Sequence, residues 1–461
     1  MHMKCRFRAL LGVAAVVGLW SAQANADNER PPAIATRYDQ EYPVIGYAGP
    51  ATHNRVWRLQ QQLASGEVQL DWEPQFGYLR SLLKALQIGV DSQVLVYSKT
   101  SLQASSISSA TPRALYFNDD TYVGYIHGSP LIEFTVIDAQ LGVVFYGLDN
   151  RQQARAQLER EGGRCLTCHD TYSMMGGGVP RVLVMSSPVE DPADTRTFSS
   201  ATDVDDRTPI AQRWGGWYVT GRHGRQTHFG NQPLREDRED ERLRRLLSSR
   251  ANLQTLAAYF DTSTYPSDKS DIAALLVLEH QSYVQNFITR ANYKIRTVMT
   301  REAHAQSASA RTWAELTPAD QSLIKGMIEP LVRAMFFADA AAFNDRIESG
   351  SGFATRFSKS GPLDSRGRSL RELDLNKRLF RYPLSYLVYS EHFDALPPYA
   401  LDYIETRIAE VLQGRDSTGL AARIDAADRA AITQILIDTK PRLAARLQGR
   451  PAAPAVGAKG D

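Results

Sequence analysis

The spacing of apolar residues along the chain changes character twice. Val56, Leu59 and Leu63 recur at helical intervals between Asn54 and Ala64. Leu79, Leu82, Leu83 and Leu86 do the same between Tyr78 and Ile88, so two short helices are predicted. The period then shortens. Gln93–Tyr97, Ala114–Phe117, Tyr122–Ile126, Leu131–Ile137 and Val143–Tyr146 are aromatic and β-branched runs. Asn118-Asp119-Asp120 and Gly128-Ser129-Pro130 punctuate them as turns. This pattern predicts an antiparallel meander of roughly four strands. Asp119-Asp120 is a carboxylate pair, and its place between strands fits a turn better than an acid/base role.

Residues 151–160 read as helical, Met174–Pro180 as a glycine-rich loop, and Arg181–Met185 and Trp214–Gly221 as further strands. From residue 236 the helical period returns. Ser270-Asp271 offers an N-cap for one long helix through Thr300. Thr317-Pro318 opens another, with Leu323, Ile324, Met327 and Met335 spaced for burial. The Gly-, Ser- and Arg-rich residues 350–369 read as a loop or linker, with helical patterns following near 396–413 and 425–438. No internal repeat is present. The expected fold class is α+β, with a β-rich central region and a largely α-helical C-terminal half. The segments are an N-terminal arm and helices (27–90), the β-rich region (91–235), a helical region (236–349), a C-terminal helical region (350–449) and a disordered tail (450–461).

Composition adds two constraints. The 461 residues are 43% hydrophobic and 23% charged, enough for two or three domains with sizeable cores. The first 26 residues carry Lys4, Arg6 and Arg8, the apolar run Ala9–Trp20, and then Ala24-Asn25-Ala26. This is the pattern of a secretory signal peptide cleaved after Ala26, with an apolar run too short to anchor in a bilayer. The expected location is the periplasm, with no membrane anchor. Removing that leader removes three basic residues and no acidic one, so the formal charge moves from +2 to −1. A near-neutral mature chain excludes nucleic acid as an expected partner. The basic run Glu241–Arg245 reads as a solvated helix face.

Cys5 lies in the leader, so the mature chain has two cysteines, both in Arg164-Cys165-Leu166-Thr167-Cys168-His169-Asp170. Cys-x-x-Cys-His is the attachment signature of a c-type haem. Two thiols three positions apart each add to one vinyl group of a porphyrin, and the following imidazole binds the iron. A thiol–disulfide redox pair expects a strand-to-helix context, whereas Glu159, Glu161, Gly162 and Gly163 read as a helix end and a loop. A structural zinc site needs four ligands, and no second cysteine pair exists. A structural disulfide is the remaining alternative.

With His169 on one side of the iron, the other axial ligand decides the chemistry. Histidine or methionine there makes an electron carrier, and an open position makes a binding or catalytic site. Candidates for this distal ligand are His228 and His223, in the Gly- and Arg-rich Thr220–Asn231 stretch, then Met185 and His280. His127 is a further loop histidine. Met174 and Met175 follow His169 too closely to reach the opposite face with ease. Each has a bland alternative: surface histidines, a core methionine, a hydrogen-bonded helical histidine.

The haem motif resembles that of c-type cytochromes as a class. The wider chain resembles a group of large exported bacterial monohaem proteins described as cytochrome c domain-containing. The likeness runs through Pro112–Asp120, the haem motif, Arg213–Gly221 and Arg381–Leu387. It implies one covalently bound haem c, with Cys165 and Cys168 as thioether attachments and His169 as axial iron ligand. The chain departs from a small soluble cytochrome c in its length, its β-rich surroundings and the lack of a downstream methionine loop. The expected function is haem binding and one-electron transfer with a redox partner protein or a small-molecule redox substrate. The alternative is a haem enzyme or sensor with an open distal site, acting on peroxide, a nitrogen oxide or a sulfur compound. There an Arg or His near His223–His228 would polarise the bound molecule. A third reading is a scaffold whose helical C-terminal half binds another protein.

Overall fold

The short-period runs close into one antiparallel sheet. The computed structural model describes residues 37–49, 53–170, 178–187, 201–232, 252–306, 313 and 316–450. The expected signal peptide, Met174, Met175, residues 236–251 and the tail from 451 lie outside them. Six strands pair in sequence order: β1 Val94–Val96, β2 Arg113–Phe117, β3 Thr121–Tyr125, β4 Leu131–Asp138, β5 Gly142–Asp149 and β6 Leu158–Glu161. Every joint is antiparallel. The fold class is α+β, as expected.

The strand that the sequence reading misses is β6. Residues 151–160 read as helical, yet Leu158–Glu161 pairs with β5 in the register Leu148↔Leu158 through Phe145↔Glu161. Without it, the outer N–H and C=O groups of β5 lack partners, and that demand outweighs local composition.

The register sorts the side chains into two faces. One face carries Ile132, Phe134 and Val136, all buried, and is covered by the helix Arg55–Ser65. There Asn54 Nδ2 donates to Tyr146 Oη, and Gln60 Nε2 donates to the Leu158 carbonyl. The other face carries Leu131, Glu133 and Thr135, all half-buried, with Gly124 and Gly147 level with Glu133. The long helix Ile272–Gln306 covers one end of this second face: Tyr122 Oη donates to Gln285 Oε1.

That helix starts where the sequence places its cap and runs slightly further. Asp271 Oδ1 accepts from the N–H groups of Ala273 (2.8 Å) and Ala274 (3.3 Å). Its opening residues Ile272–Leu278 are all buried, so it threads the core. Glu279 is 0% exposed and binds Arg213 Nη1 and Trp214 Nε1. No helix among the described residues is long and apolar enough to cross a membrane.

Several expectations change. The aromatic stretch Trp214–Gly221 is no independent strand. It lies along the free edge of β1, with Tyr97 N–H donating to the Gly216 carbonyl and Tyr218 N–H to that of Leu95. Gly216 has φ +81°, and a Cβ there would lie 2.5 Å from Ser98 Cβ, so the close approach requires glycine. Only Gly221–Arg222 is a strand, paired with Glu348–Ser349. Of Arg181–Met185, only Met185 is in a strand, Met185–Ser186 with Thr202–Asp203. Residues 350–369 are no linker: the helix Phe353–Lys359 buries Phe353 and Phe357. The arm at 27–50 contains the helix Arg37–Glu41 and buries Tyr38 and Tyr47. Residues 252–271 are turns and a short 3-10 stretch, Thr262–Thr264, not helix.

The helices Pro318–Met335, Pro398–Leu412 and Ala426–Thr439 fall as predicted, and Pro441–Leu447 is added. Leu323, spaced for burial, is 46% exposed. One hydrophobic cluster runs from Tyr38 to Leu443, so the boundaries at 90, 235 and 349 fall within a continuous core.

Glu279→Ala strands a buried guanidinium and indole N–H. It is expected to cost about 3–5 kcal/mol in urea unfolding. Leu323→Ala is expected to stay within about 0.5 kcal/mol.

Candidate functional site

The Cys-x-x-Cys-His motif forms a single short helix, Gly163–His169, at the end of β6. Cys165 and Cys168 lie three positions apart, about 60° around the helix, and His169 is about 40° from Cys165. The three side chains fall within about 100° of the helix circumference, and Leu166, at the edge of that arc beside His169, is 6% exposed and packs into the core.

The approach to the motif is a strand, not the helix end read from the sequence. A strand-to-helix junction is the setting of a redox dithiol, so that alternative needs a chemical test. Redox-active pairs lower a thiol pKa to expose thiolate. Here burial, with Glu161 and Glu133 nearby, pushes the Cys165 thiol up to about 12. Burial also raises Cys168. The strand is the edge of an antiparallel meander rather than part of a βαβ unit. Both cysteines are free thiols. Among the described residues there is no group of three or more His, Cys, Asp and Glu that could hold a metal ion.

His169 is fixed by two bonds to one residue. Its Nδ1 lies 2.8 Å from the Arg181 carbonyl, and its own carbonyl accepts from Arg181 N–H at 3.2 Å. A carbonyl only accepts, so Nδ1 carries the proton and Nε2 presents its lone pair. Metal-binding histidines are held in this way, by a hydrogen bond from the nitrogen that faces away from the metal. The imidazole packs against Phe145 of β5, ring centroids 4.7 Å apart. Burial is the main cause that lowers His169 to about 4, so it is neutral at physiological pH.

Charge on the neighbouring sheet is arranged around the same helix. Arg113 reaches Glu133 at 2.6 Å, and both side chains are about one-fifth exposed. Arg113 lies flat because its neighbour is Gly124: a Cβ there would lie 2.7 Å from Nη2. Arg113 Nε is buried without a hydrogen-bond partner. Arg113 and Glu133 both act electrostatically on Cys165 and on His169. The donor set therefore fits a c-type haem: two thiols and an imidazole lone pair on one side of one helix, with a cation beside them. Arg113, Glu133, Phe145 and Arg181 are not among the site residues read from the sequence. Strand register and a backbone carbonyl bring them in, and neither leaves a local signal.

The distal candidates do not gather here. His280 has both nitrogens engaged, Nδ1 with Asp206 Oδ2 at 2.7 Å and Nε2 with Ser385 Oγ at 2.8 Å. Met185 is 8% exposed in a strand pair four residues past Arg181, about 13 Å along extended chain. His223 and His228 do come together, ring centroids 4.7 Å apart, with His228 against Trp214. Trp214 is held at Glu279, whereas Val182, next to the His169 clamp, is held at Asn286. Those helix positions are seven residues apart, a rise of about 10 Å. His127 contacts Tyr125 Oη at 3.4 Å. The carboxylate pair is structural: Asp119 pairs with Arg371 and Asp120 with Arg55.

Two outcomes are expected for protein without haem. The His169 ring should titrate near pH 4 by NMR. Its folded value lies below the unfolded 6.5, so its stabilising contribution is complete above 6.5 and is lost as pH falls toward 4. Cys165 should alkylate with iodoacetamide at pH 8 far more slowly than a free thiol of ordinary pKa.

No protein-family model matches the chain, and no curated protein or solved structure matches it either.

Proposed function

We propose that the chain is an exported monohaem c-type cytochrome that relays single electrons, with haem c attached at Cys165 and Cys168. The observation that carries this reading is the His169 clamp. Within a Cys-x-x-Cys-His motif, the histidine is neutral, and its Nδ1–H is committed to the Arg181 carbonyl. That tautomer leaves the lone pair on Nε2, and the spacing of the motif puts the imidazole on the same side of the short helix as the two thiols.

Haem, when bound, supplies the one-electron Fe(III)/Fe(II) couple. The protein residues then have separate tasks. Cys165 and Cys168 anchor, and helix geometry puts both on one side. His169 offers Nε2, Arg181 holds its orientation, and Phe145 backs its ring. The raised thiols stay protonated and resist premature oxidation. Arg113 offers a guanidinium for a propionate, with Glu133 keeping it in place on the sheet. The donor or acceptor is a redox partner protein or a small-molecule redox substrate, and the N-terminal leader supports a periplasmic location.

One observation favours the alternative of an open distal face. Of the four distal candidates, His280 has both nitrogens already bonded to Asp206 and Ser385. An iron without a second strong ligand binds small molecules.

The test is an absorption spectrum of protein exported alongside haem-maturation machinery, oxidised, reduced, and reduced with carbon monoxide. A covalent haem that survives acid–acetone extraction is expected. Extraction of all colour would overturn the reading. A low-spin spectrum that carbon monoxide leaves unmoved marks the electron carrier, and a carbon monoxide shift marks the enzyme or sensor. His169→Ala is expected to abolish the low-spin spectrum while leaving the haem attached. Arg113→Leu removes a positive charge from the site. It is expected to lower the midpoint potential in a redox titration, because the reduced iron loses a stabilising cation.

A further inference from the structure

A second set of reactive side chains meets at His280 of the long helix, and the haem reading uses none of it. His280 Nδ1 is 2.7 Å from Asp206 Oδ2, and His280 Nε2 is 2.8 Å from Ser385 Oγ. The carboxylate accepts from Nδ1, so the Ser385 hydroxyl donates to Nε2. This is the tautomer in which an imidazole removes the serine proton, and the chain of bonds is nucleophile to base to orienting carboxylate. Ser385 also caps the 3-10 turn Tyr386–Tyr389, accepting from Leu387 N–H at 3.3 Å. That cap occupies a lone pair of the hydroxyl and leaves its proton directed at His280.

A cavity of about 190 Å³ borders this cluster. Asp206 lines it directly, with Phe337, Phe380 and Pro383. Phe337 stacks on the His280 ring at 4.3 Å and 22°, and Phe380 meets it edge-on at 5.4 Å. These two rings line the cavity and also pack on His280, and His280 and Ser385 are both 0% exposed. Phe337 has φ +54°, a left-handed backbone that a bulky residue rarely adopts, and such strain gathers at functional sites. The cavity wall combines Leu276, Phe336 and Leu379 with the cations Lys377, Arg378 and Arg423.

We propose that Ser385, His280 and Asp206 form a haem-independent acyl-transfer site that hydrolyses esters of apolar acids entering through this cavity when Phe337 moves off His280. Ser385 Oγ bonds to the ester carbonyl carbon as its proton passes to His280 Nε2. The carbonyl carbon–alkoxy oxygen bond breaks, and His280 returns that proton to the departing alcohol. Water then attacks the acyl-serine, gives its proton to His280, and releases the acid as Ser385 regains its hydrogen. Asp206 is a positioning residue that keeps Nδ1–H in place and stabilises the transient imidazolium. Lys377 and Arg423 favour the carboxylate product or an anionic acyl chain.

The experiment uses the full chain with haem, and the Cys165→Ala/Cys168→Ala form without it. Each is treated with a fluorophosphonate probe and assayed with p-nitrophenyl butyrate. One label per chain on Ser385 is expected in both forms, which separates this site from the haem reading: failure of haem attachment leaves it intact. Ser385→Ala should lose the label and at least ~100-fold of the hydrolysis rate. Asp206→Asn should lower kcat by ~10²–10⁴-fold and alter its pH profile, with partial rescue by Asp206→Glu. Phe337→Leu and Phe337→Ala should label several-fold faster. The proposal is overturned if folded Phe337→Leu protein takes no label at Ser385, or if hydrolysis persists unchanged in Ser385→Ala.

Discussion

Glu279 is a carboxylate in the middle of a helix with no exposure to water, and the path of the chain around it follows from that burden. Burial raises its carboxyl to about 7 even with Arg213 drawing it down. Such a group is tolerated only where its oxygens are bonded, and Arg213 Nη1 and Trp214 Nε1 supply those bonds. The demand spreads. Arg213 is itself buried, so Nε donates to the Thr208 carbonyl and Nη2 to that of Asp206. Trp214 takes a left-handed backbone, φ +68°, to bring its indole in. The residues after Glu279 repeat the theme. His280 joins Asp206 to Ser385. Gln281 receives Tyr386 and donates to the Asn118 carbonyl, and Gln285 donates to that of Asp119. Asn286 bonds both the N–H and the carbonyl of Val182. One polar row on one buried helix thus ties the sheet turn, the 206–214 loop, the 181–187 segment and the Ser385 turn into a single core.

The Cys-x-x-Cys-His motif inherits its position from that framework at one remove. Asn286 fixes Val182, Arg181 precedes Val182, and Arg181 holds His169 at both ends of the residue. From the other side β6 is fixed by its ladder to β5, which also supplies Phe145. The motif helix is only seven residues long, too short to be stable alone. It is held at its start by the sheet and at its end by the Arg181 clamp, and its two thiols lie between. Two thiols and an imidazole positioned by different parts of the fold are held in place by the fold itself.

The motif itself was legible without coordinates, because its chemistry is written in sequence spacing: the two thiols and the imidazole are local neighbours. The long helix and its Asp271 cap, the C-terminal helices and the strands β1 to β5 were legible for the same reason, since periodicity and capping are local properties. What determined β6, the Arg113–Glu133 pair and the burial of Phe353 was pairing between distant segments. Leu158–Glu161 carries a helix-compatible composition and becomes a strand only because β5 offers an open edge. The histidines show the same division. As letters in a sequence His228 and His223 rank ahead of His280 as ligands, and none is excluded. Tertiary structure alone decided that His280 has both nitrogens spent and that the other two face each other near Trp214. Spacing along the chain fixes which groups share a turn of helix, whereas the partners of a nitrogen are chosen by whatever the fold packs against it.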